Sequence, residues 1–353
     1  AAEALFGQAG TDEFIYARYG NPTVRMFEER IAALEGAEDG FATASGMAAV
    51  HGALAAMTKA GDHVVAARAL FGSCLYVLED VLARFGVQVT LVDGLDMNAW
   101  AEAITPQTRL VFFESISNPT LEVIDIAQVA ALAHAVGAYV VVDNVFSTPV
   151  YSKAIALGVD VVIYSATKHI DGQGRGLGGV ILGTKEVIRG IIEPFMKHTG
   201  GAMSPFNAWV MLKGLETISL RCEAQAENAE KIVNALKGHK NITRILYPTD
   251  VSHPQYELAI SQMTKGGTVV SFELSGGKKA AFSFLNALEI ITISNNLGDA
   301  KSLATHPVTT THKNMAAEAR EAAGITDGFV RLSVGIEDPE DLIVDLLEAL
   351  EKV

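Results

Sequence analysis

Cysteine, positive charge and long apolar segments are what this sequence lacks. Among its 353 residues only Cys74 and Cys222 are cysteines, so a disulfide framework is excluded and a reducing cytoplasm is the expected compartment. The apolar runs have the length of strands, so no membrane-spanning segment and no membrane partner are predicted. The net charge of −14 argues against nucleic acid as a partner, because phosphate binding needs clustered Lys and Arg.

Motifs for metals and nucleotides are missing as well. The 9 histidines form no H-E-x-x-H pattern, and His306 and His312 are not at metal-ligand spacing, so no metal site is predicted. Residues 174–179 contain G-x-G-x-x-G, the fingerprint of dinucleotide-binding loops. Residues 180–182, however, predict a strand where such a loop must be followed by a helix, so we reject this interpretation.

The N-terminal segment carries no targeting signal in its first 20 residues, where a basic region followed by an apolar core would mark a signal peptide. The sequence begins at Ala1 without a methionine. We therefore expect residues 1–22 to be an N-terminal arm that is incomplete.

Helical periods alternate with short apolar runs from residue 23 to about residue 200. The runs do not alternate in polarity, which is typical of parallel strands buried on both faces. The predicted strands are 63–66, 87–92, 110–113, 139–142, 161–163 and 180–182, and the predicted helices are 24–34, 47–57, 75–85 and 126–136. This order predicts an α/β fold, a mostly parallel sheet covered by helices.

A long helical stretch from about Phe206 to Leu236 ends this alternation. After it, strands are predicted at 242–247, 268–274 and 330–334, and helices at 279–288 and 342–352. The pattern indicates a smaller α+β domain joined through the long helix. We place the large domain at residues 23–210 and the C-terminal domain at residues 211–353.

Polar residues follow three of the predicted strands, at the edge where open α/β sheets bind ligands. They are Glu114, Ser117 and Asn118 after the first, Asp143 and Asn144 after the second, and Ser165, Thr167 and Lys168 after the third. Each residue alone is explained as well by a capping or turn role, and Lys168 alone by a loop lysine in water. Three such strand ends together predict a site.

The residue types at these strand ends suit one cofactor. A lysine in a partly dry site, here Lys168, becomes a nucleophile that can form a Schiff base with an aldehyde. Asp143 can keep a pyridine nitrogen protonated. Ser165, Thr167 and the N–H groups where residues 45–47 open a helix can hold a phosphate. The combination fits pyridoxal 5′-phosphate.

Several long stretches of the sequence resemble the Cys/Met-metabolism family of pyridoxal-phosphate enzymes. They are "YARYGNPTVRMFEERIAALEG", "ATASGMAAV", "FFESISNPTLEVIDI", "VVDNVFSTP", "YSATKHIDGQGRGLGG" and "RLSVGIED". The resemblance extends over nearly the whole chain from residue 14. It implies fold type I of the pyridoxal-phosphate-dependent transferases, with a mostly parallel sheet domain of the seven-stranded type and a smaller C-terminal α+β domain.

The resemblance also implies a role for each site residue. Lys168 would bind the cofactor as a Schiff base and carry protons, Asp143 would pair with the pyridine nitrogen, and Arg331 would clamp the substrate α-carboxylate. Asn118 would lie beside the ring hydroxyl and Asn296 near the carboxylate. The implied phosphate-binding residues are Gly46, Met47, Ser165 and Thr167, joined from a neighbouring subunit by Tyr16 and Arg18.

Two features are most similar to the bacterial O-succinylhomoserine sulfhydrylases of that family. Most members have a tyrosine stacked on the ring where this sequence has Phe71, which can stack but has no hydroxyl to act as acid or base. Arg175, in "DGQGRGLGG", is expected to bind a succinyl carboxylate, with an ordinary surface arginine as the alternative.

The N-terminal arm is shorter than is usual in the family, as though a loop were missing in residues 5–14.

The expected reaction is γ-replacement on an acylated homoserine, in which O-succinylhomoserine and hydrogen sulfide give homocysteine and succinate for methionine biosynthesis. A cystathionine γ-synthase or a methionine or cystathionine γ-lyase is the first alternative. A non-catalytic protein that keeps the cofactor site as a scaffold is the second. Because Tyr16 and Arg18 act across subunits, we expect a cytoplasmic homo-oligomer, a tetramer built from dimers that share active sites.

Overall fold

A computed structural model of the chain describes residues 14–313 and 315–353. The strands are β1 (Asp39–Thr43), β2 (His63–Ala67), β3 (Gln88–Val92), β4 (Thr108–Glu114), β5 (Tyr139–Asp143), β6 (Val161–Ser165), β7 (Gly179–Gly183), β8 (Ile242–Leu246), β9 (Val269–Leu274), β10 (Thr292–Ile293), β11 (Leu303–Thr305) and β12 (Phe329–Ser333). They form two separate sheets.

Helices surround both sheets. They are α1 (Pro22–Glu35), α2 (Gly46–Met57), α3 (Gly72–Tyr76), α4 (Met97–Ala103), α5 (Ile126–Ala135), α6 (Thr148–Tyr151), α7 (Lys185–Val187), α8 (Glu193–Thr199), α9 (Pro205–Leu215), α10 (Ile218–Leu236), α11 (Tyr256–Gln262), α12 (Gly277–Ala287), α13 (Ala317–Ala322) and α14 (Pro339–Leu350). A π-helical segment, Val77–Leu82, continues α3, and a second, Ile188–Ile192, joins α7 to α8.

The large sheet has seven strands in the order β1-β7-β6-β5-β4-β2-β3. The pairs from β3 to β6 are parallel, whereas β7 runs antiparallel to both β6 and β1. The predicted α/β fold with a mostly parallel sheet is therefore confirmed. Phe112 and Phe113 are both fully buried and pack into different clusters, one on each face of the sheet. Burial on both faces explains why these strands read as continuous apolar runs.

Local sequence signals set the ends of the helices that flank the site. The side chain of Asn21 caps α1 by accepting the Thr23 N–H at 3.0 Å, and Gly36 ends that helix with a positive φ of 88°. Ser45 caps α2 in the same way by accepting the Ala48 N–H at 3.1 Å. Residues 45–47 therefore open a helix as predicted.

The predicted helix from Phe206 to Leu236 is wrong in one respect, because the structure divides it into α9 and α10. Thr217 lies between them with φ −121° and ψ 6°, outside helical geometry. The buried side chain of Arg221 stabilises the break by donating to the Gly214 carbonyl at 2.8 Å and to the Thr217 hydroxyl at 3.1 Å. Helical periodicity continues across the break, so the sequence pattern does not signal it.

The smaller sheet has the order β10-β11-β12-β9-β8, and all its pairs except β10–β11 are antiparallel. Its core includes Phe272 and Phe284, whose rings meet edge to face at 5.5 Å. Helix α10 connects the two cores, because Cys222 packs with the large sheet and Ile232 with the small one. The predicted domain boundary after residue 210 stays a prediction.

In the part of the chain that the structure describes, no helix combines the length and the apolar composition needed to cross a membrane.

Candidate active site

A cavity of about 640 Å³ lies at the carboxyl ends of the central strands of the large sheet. Most of the residues predicted to form the site line it. They are Gly46, Met47, Phe71, Asn118, Asp143, Ser165, Thr167, Lys168, Arg175, Asn296 and Arg331. The strand register explains this convergence, since Glu114 of β4 pairs with Asp143 of β5, and Asp143 pairs with Ile163 of β6. The polar residues after these strands consequently meet at one edge.

Lys168 lies in the turn that follows β6 and projects an amine into the cavity. Its Nζ donates a hydrogen bond to Asn296 Oδ1 at 2.6 Å. Burial and, after it, the positive charge of Arg331 lower the pKa of Lys168 to about 8, while Asp143 acts in the opposite direction. A lysine with this pKa is partly neutral near physiological pH, as a nucleophile or a proton carrier must be.

Two carboxyl groups lie side by side in the cavity, at the ends of β4 and β5. Burial raises the pKa of Asp143, and burial together with the negative charge of Asp143 raises the pKa of Glu114. One oxygen of Asp143 accepts the Val145 N–H at 3.0 Å, and its other oxygen accepts no hydrogen bond from a described residue. The pair therefore favours a cationic neighbour in the cavity.

Glu114 is a site residue to which the sequence analysis assigned no role. One carboxylate oxygen accepts the Phe71 N–H at 2.6 Å, and the other accepts the Asn118 N–H at 3.1 Å. One buried carboxyl group thus holds two loops that face the cavity. Its place at the end of an apolar strand was the available signal, but the sequence does not show which N–H groups it accepts.

Arg331 lies on β12 and supplies a buried guanidinium group at the cavity. Its Nη1 donates to Asn118 Oδ1 at 3.0 Å, and its Nη2 donates to the carbonyls of Asn295 and Asn296 at 2.8 and 3.0 Å. Its Nε is buried without a partner among the described residues. Burial lowers the pKa of Arg331 to about 10. Because no carboxylate of the described chain pairs with it, Arg331 is suited to bind an anionic ligand.

The start of α2 and the end of β6 approach each other closely where both line the cavity. A Cβ atom on Gly46 would lie 2.6 Å from Ser165 Cβ, so only glycine fits there. The Thr167 hydroxyl accepts the Gly178 N–H at 3.2 Å. The first N–H groups of a helix have no partners within the helix, so residues 46 and 47 present free donors beside two hydroxyls.

Tyr16 and Arg18 are the predicted residues that the structure places elsewhere. Tyr16 is exposed, and Arg18 donates to the Lys197 carbonyl and lies over the Tyr19 ring at 4.7 Å. Neither residue lines the cavity of its own chain. Their predicted role across a subunit boundary stays a prediction.

The turn that follows Lys168 is held by close approaches that the sequence analysis missed. Arg221 donates to the His169 carbonyl at 2.8 Å, and a Cβ atom on Gly172 would lie 1.9 Å from its Nη1. A Cβ atom on Gly214 would lie 1.9 Å from the Ile170 carbonyl oxygen. These contacts join segments far apart in sequence and fix the backbone that carries Lys168.

The chain matches a known family over almost its whole length. The family model described as Cys/Met metabolism PLP-dependent enzyme matches residues 1–351.

Curated relatives include two sulfhydrylases and a lyase. The O-succinylhomoserine sulfhydrylase of Mycobacterium tuberculosis strain H37Rv is 55% identical over 343 residues, which cover 96% of this chain and 84% of that protein. The O-succinylhomoserine sulfhydrylase of Pseudomonas aeruginosa is 47% identical over 336 residues, 95% of this chain and 83% of that protein. An L-methionine gamma-lyase of Fusobacterium nucleatum subsp. polymorphum is 41% identical, covering 96% of this chain and 87% of that protein.

Solved structures share the whole architecture. Cystathionine gamma-lyase from Lactobacillus plantarum, complexed with L-serine, superimposes with a TM-score of 0.94 at 35% identity, covering 98% of this chain and 90% of that chain. Cystathionine gamma synthase from Xanthomonas oryzae pv. oryzae gives a TM-score of 0.93 at 36% identity, covering 96% of this chain and 87% of that chain.

Proposed function

The chain belongs to the Cys/Met metabolism family of PLP-dependent enzymes, and from this premise we propose that it converts O-succinylhomoserine and hydrogen sulfide to homocysteine and succinate. The observation that carries the proposal is the single cavity that brings Lys168, Asp143 and Arg331 together. The similarity to two O-succinylhomoserine sulfhydrylases supports this reaction among those that the family performs.

The residues of the cavity fit pyridoxal phosphate. Asp143 lines the cavity, and the carboxylate oxygen that accepts no hydrogen bond from a described residue is available for a pyridine N–H. The phosphate can be bound by the backbone N–H groups of Gly46 and Met47 and by the hydroxyls of Ser165 and Thr167. Glycine is needed at position 46, because a Cβ atom there would collide with Ser165. The bound cofactor withdraws electrons from the substrate carbons and so makes their protons removable.

Lys168 supplies the movable proton at this site. In its neutral form the amine accepts a proton from a substrate carbon, and the ammonium form returns it. The pKa of about 8 lets both forms exist at physiological pH. Asn296 holds Nζ by the hydrogen bond at 2.6 Å, which orients the amine toward the cavity.

Arg331 and Asn118 orient the substrate. The guanidinium group of Arg331 binds the α-carboxylate, while Asn118 Oδ1 fixes the plane of that guanidinium from one side. Phe71 offers an aromatic face held in place by Glu114, and it has no hydroxyl that could deliver a proton to a leaving group. In the overall exchange the bond between the γ-carbon and the succinyl oxygen breaks, and a carbon–sulfur bond forms with hydrogen sulfide.

The activity is tested with the purified protein, added pyridoxal phosphate and O-succinylhomoserine, with and without sulfide, and the products are identified by mass. We expect homocysteine only when sulfide is present and none from Lys168→Ala. Release of 2-oxobutyrate without sulfide would instead identify a γ-lyase. Cystathionine formed with added cysteine, and no homocysteine with sulfide, would identify a γ-synthase.

We also propose that the protein forms a dimer with shared active sites, within a tetramer, and acts in the cytoplasm. The side chains of Tyr16 and Arg18 both lie away from their own cavity, so a neighbouring subunit is the place where they can contact a phosphate. Mixing Arg18→Ala with Lys168→Ala subunits tests this arrangement. Hybrid dimers would contain one complete site and regain activity, whereas no gain on mixing would contradict shared sites.

A further inference from the structure

We propose that Arg175 binds the terminal carboxylate of the succinyl group and makes the enzyme prefer a succinyl ester to an acetyl ester. The inference rests on the proposed function, because it names how the same cavity distinguishes one acyl group from another. It assigns a second carboxylate-binding residue, separate from Arg331.

The position of Arg175 suits this role. The residue lines the cavity with Lys168 and Arg331, and its side chain is 36% exposed, so its guanidinium is accessible to a ligand. Its neighbours Gly174 and Gly176, which also line the cavity, have no side chains to obstruct an extended ligand. Gly174 has a φ of 65°, a conformation that favours glycine.

Asp171 holds the Arg175 side chain in one orientation. The buried carboxylate of Asp171 accepts the Arg175 backbone N–H at 2.7 Å and the Nε–H at 3.0 Å, and the Asp171 carbonyl accepts a bond from Nη2 at 2.7 Å. These contacts use one edge of the guanidinium group and leave the donors of Nη1 for a ligand. An arginine held in this way loses less conformational freedom when it binds a carboxylate.

The substrate chemistry matches two guanidinium groups on one cavity. O-Succinylhomoserine carries two carboxylates, the α-carboxylate and the end of its acyl chain. O-Acetylhomoserine carries only the first and ends in a methyl group. If Arg331 binds the α-carboxylate, Arg175 has a carboxylate partner only in the succinyl ester. The succinyl ester then forms charged hydrogen bonds with Arg175 that the acetyl ester cannot form, and the enzyme binds it more tightly.

The test measures kcat/KM for homocysteine formation from both esters, with sulfide in excess. The variants are Arg175→Gln, which removes the charge, and Arg175→Lys, which keeps the charge without the planar fork. Arg84→Gln is the matched control, because Arg84 is an exposed arginine outside the cavity. Turnover of the acetyl ester shows in each variant whether the active site has remained intact.

We expect Arg175→Gln to lower kcat/KM for the succinyl ester about 10- to 100-fold, mainly through KM, since a charged hydrogen bond is lost. The acetyl ester should change less than about twofold, Arg175→Lys should be intermediate, and Arg84→Gln should match the wild type. An equal loss with both esters, or no loss with either, would overturn the inference and leave the proposed function standing. A wild-type protein that makes no homocysteine from either ester would overturn the proposed function together with it.

Discussion

Replacing Gly214 by alanine tests how rigidly the turn after Lys168 is held. Gly214 lies in α9, and a Cβ atom there would be 1.9 Å from the Ile170 carbonyl oxygen, where ordinary contacts begin at 3.4 Å. The helix and the turn would have to separate by about 1.5 Å. Both groups belong to the backbone, so no side-chain rotation can relieve the overlap.

The expected magnitude is the difference between two opposing effects. Alanine is favoured over glycine within a helix by about 1 kcal/mol. Overpacking of this kind costs about 1–3 kcal/mol, and we expect the overlap to exceed the helical gain. We therefore expect Gly214→Ala to lower the free energy of unfolding by up to about 2 kcal/mol. Displacement of Lys168 by about 1 Å should lower kcat/KM about 100-fold.

Gly190→Ala is the matched control for this substitution. Gly190 lies in the helical segment Ile188–Ile192 and is exposed, and apart from its chain neighbours and the backbone of its own helix no described atom lies within 4 Å of a Cβ placed on it. We expect this variant to keep wild-type activity and to be as stable as the wild type or more so. Guanidinium unfolding and steady-state turnover of the two variants give both quantities. If the Gly214→Ala protein were as stable and as active as Gly190→Ala, the contact between Gly214 and the Ile170 carbonyl would not be what holds Lys168 in position.

Three further predictions concern charge in the cavity. Cofactor-free protein should combine with added pyridoxal phosphate at a rate that rises with pH around a midpoint near 8, because the lowered pKa of Lys168 leaves its amine neutral above that value. Absorbance follows this reaction, and a rate independent of pH from 7 to 9 would contradict the prediction. Glu114→Gln should lower the free energy of unfolding by about 1–3 kcal/mol, because an amide nitrogen cannot accept a hydrogen bond from the N–H of Phe71 or of Asn118. Denaturant titration measures this change, and an unchanged unfolding midpoint would refute the prediction. Arg331→Leu should lower kcat/KM at least about 100-fold because the α-carboxylate loses its cationic partner, and Arg331→Lys should retain part of the activity. Equal kinetics in the two variants would show that a positive charge at this position does not contribute to substrate binding.

The fold and most of the cavity could be predicted because their signals are local. Strands such as β5 and β6 are buried on both faces, so each appears in the sequence as an unbroken apolar run that ends in a polar residue. β1 was missed because Asp39–Thr43 contains a glycine and an alanine and has no such run. Its place in the sheet comes from pairing with β7, which the local sequence does not encode.

The parts that escaped prediction depend on contacts between distant segments. Arg221 supports the turn at residues 169–172 from a helix about 50 residues later, and Gly214 approaches the same turn from another helix. Glu114 was noticed as a polar strand end, but its two N–H partners come from different loops. Tertiary packing decides such roles, and hydrophobic periodicity carries no information about them.

The two pairs of ionisable groups in the cavity have a consequence for the lifetime of the protein. Glu114 lies beside Asp143, and Lys168 lies near Arg331, so within each pair the repulsion between like charges opposes full ionisation until a ligand of opposite charge arrives. Binding of pyridoxal phosphate therefore stabilises the folded chain by mass action. Chains made when the cofactor is scarce should open more often and be degraded sooner, a difference that limited proteolysis with and without the cofactor would show. Cofactor supply would then set the amount of enzyme present as well as the fraction of it that is active.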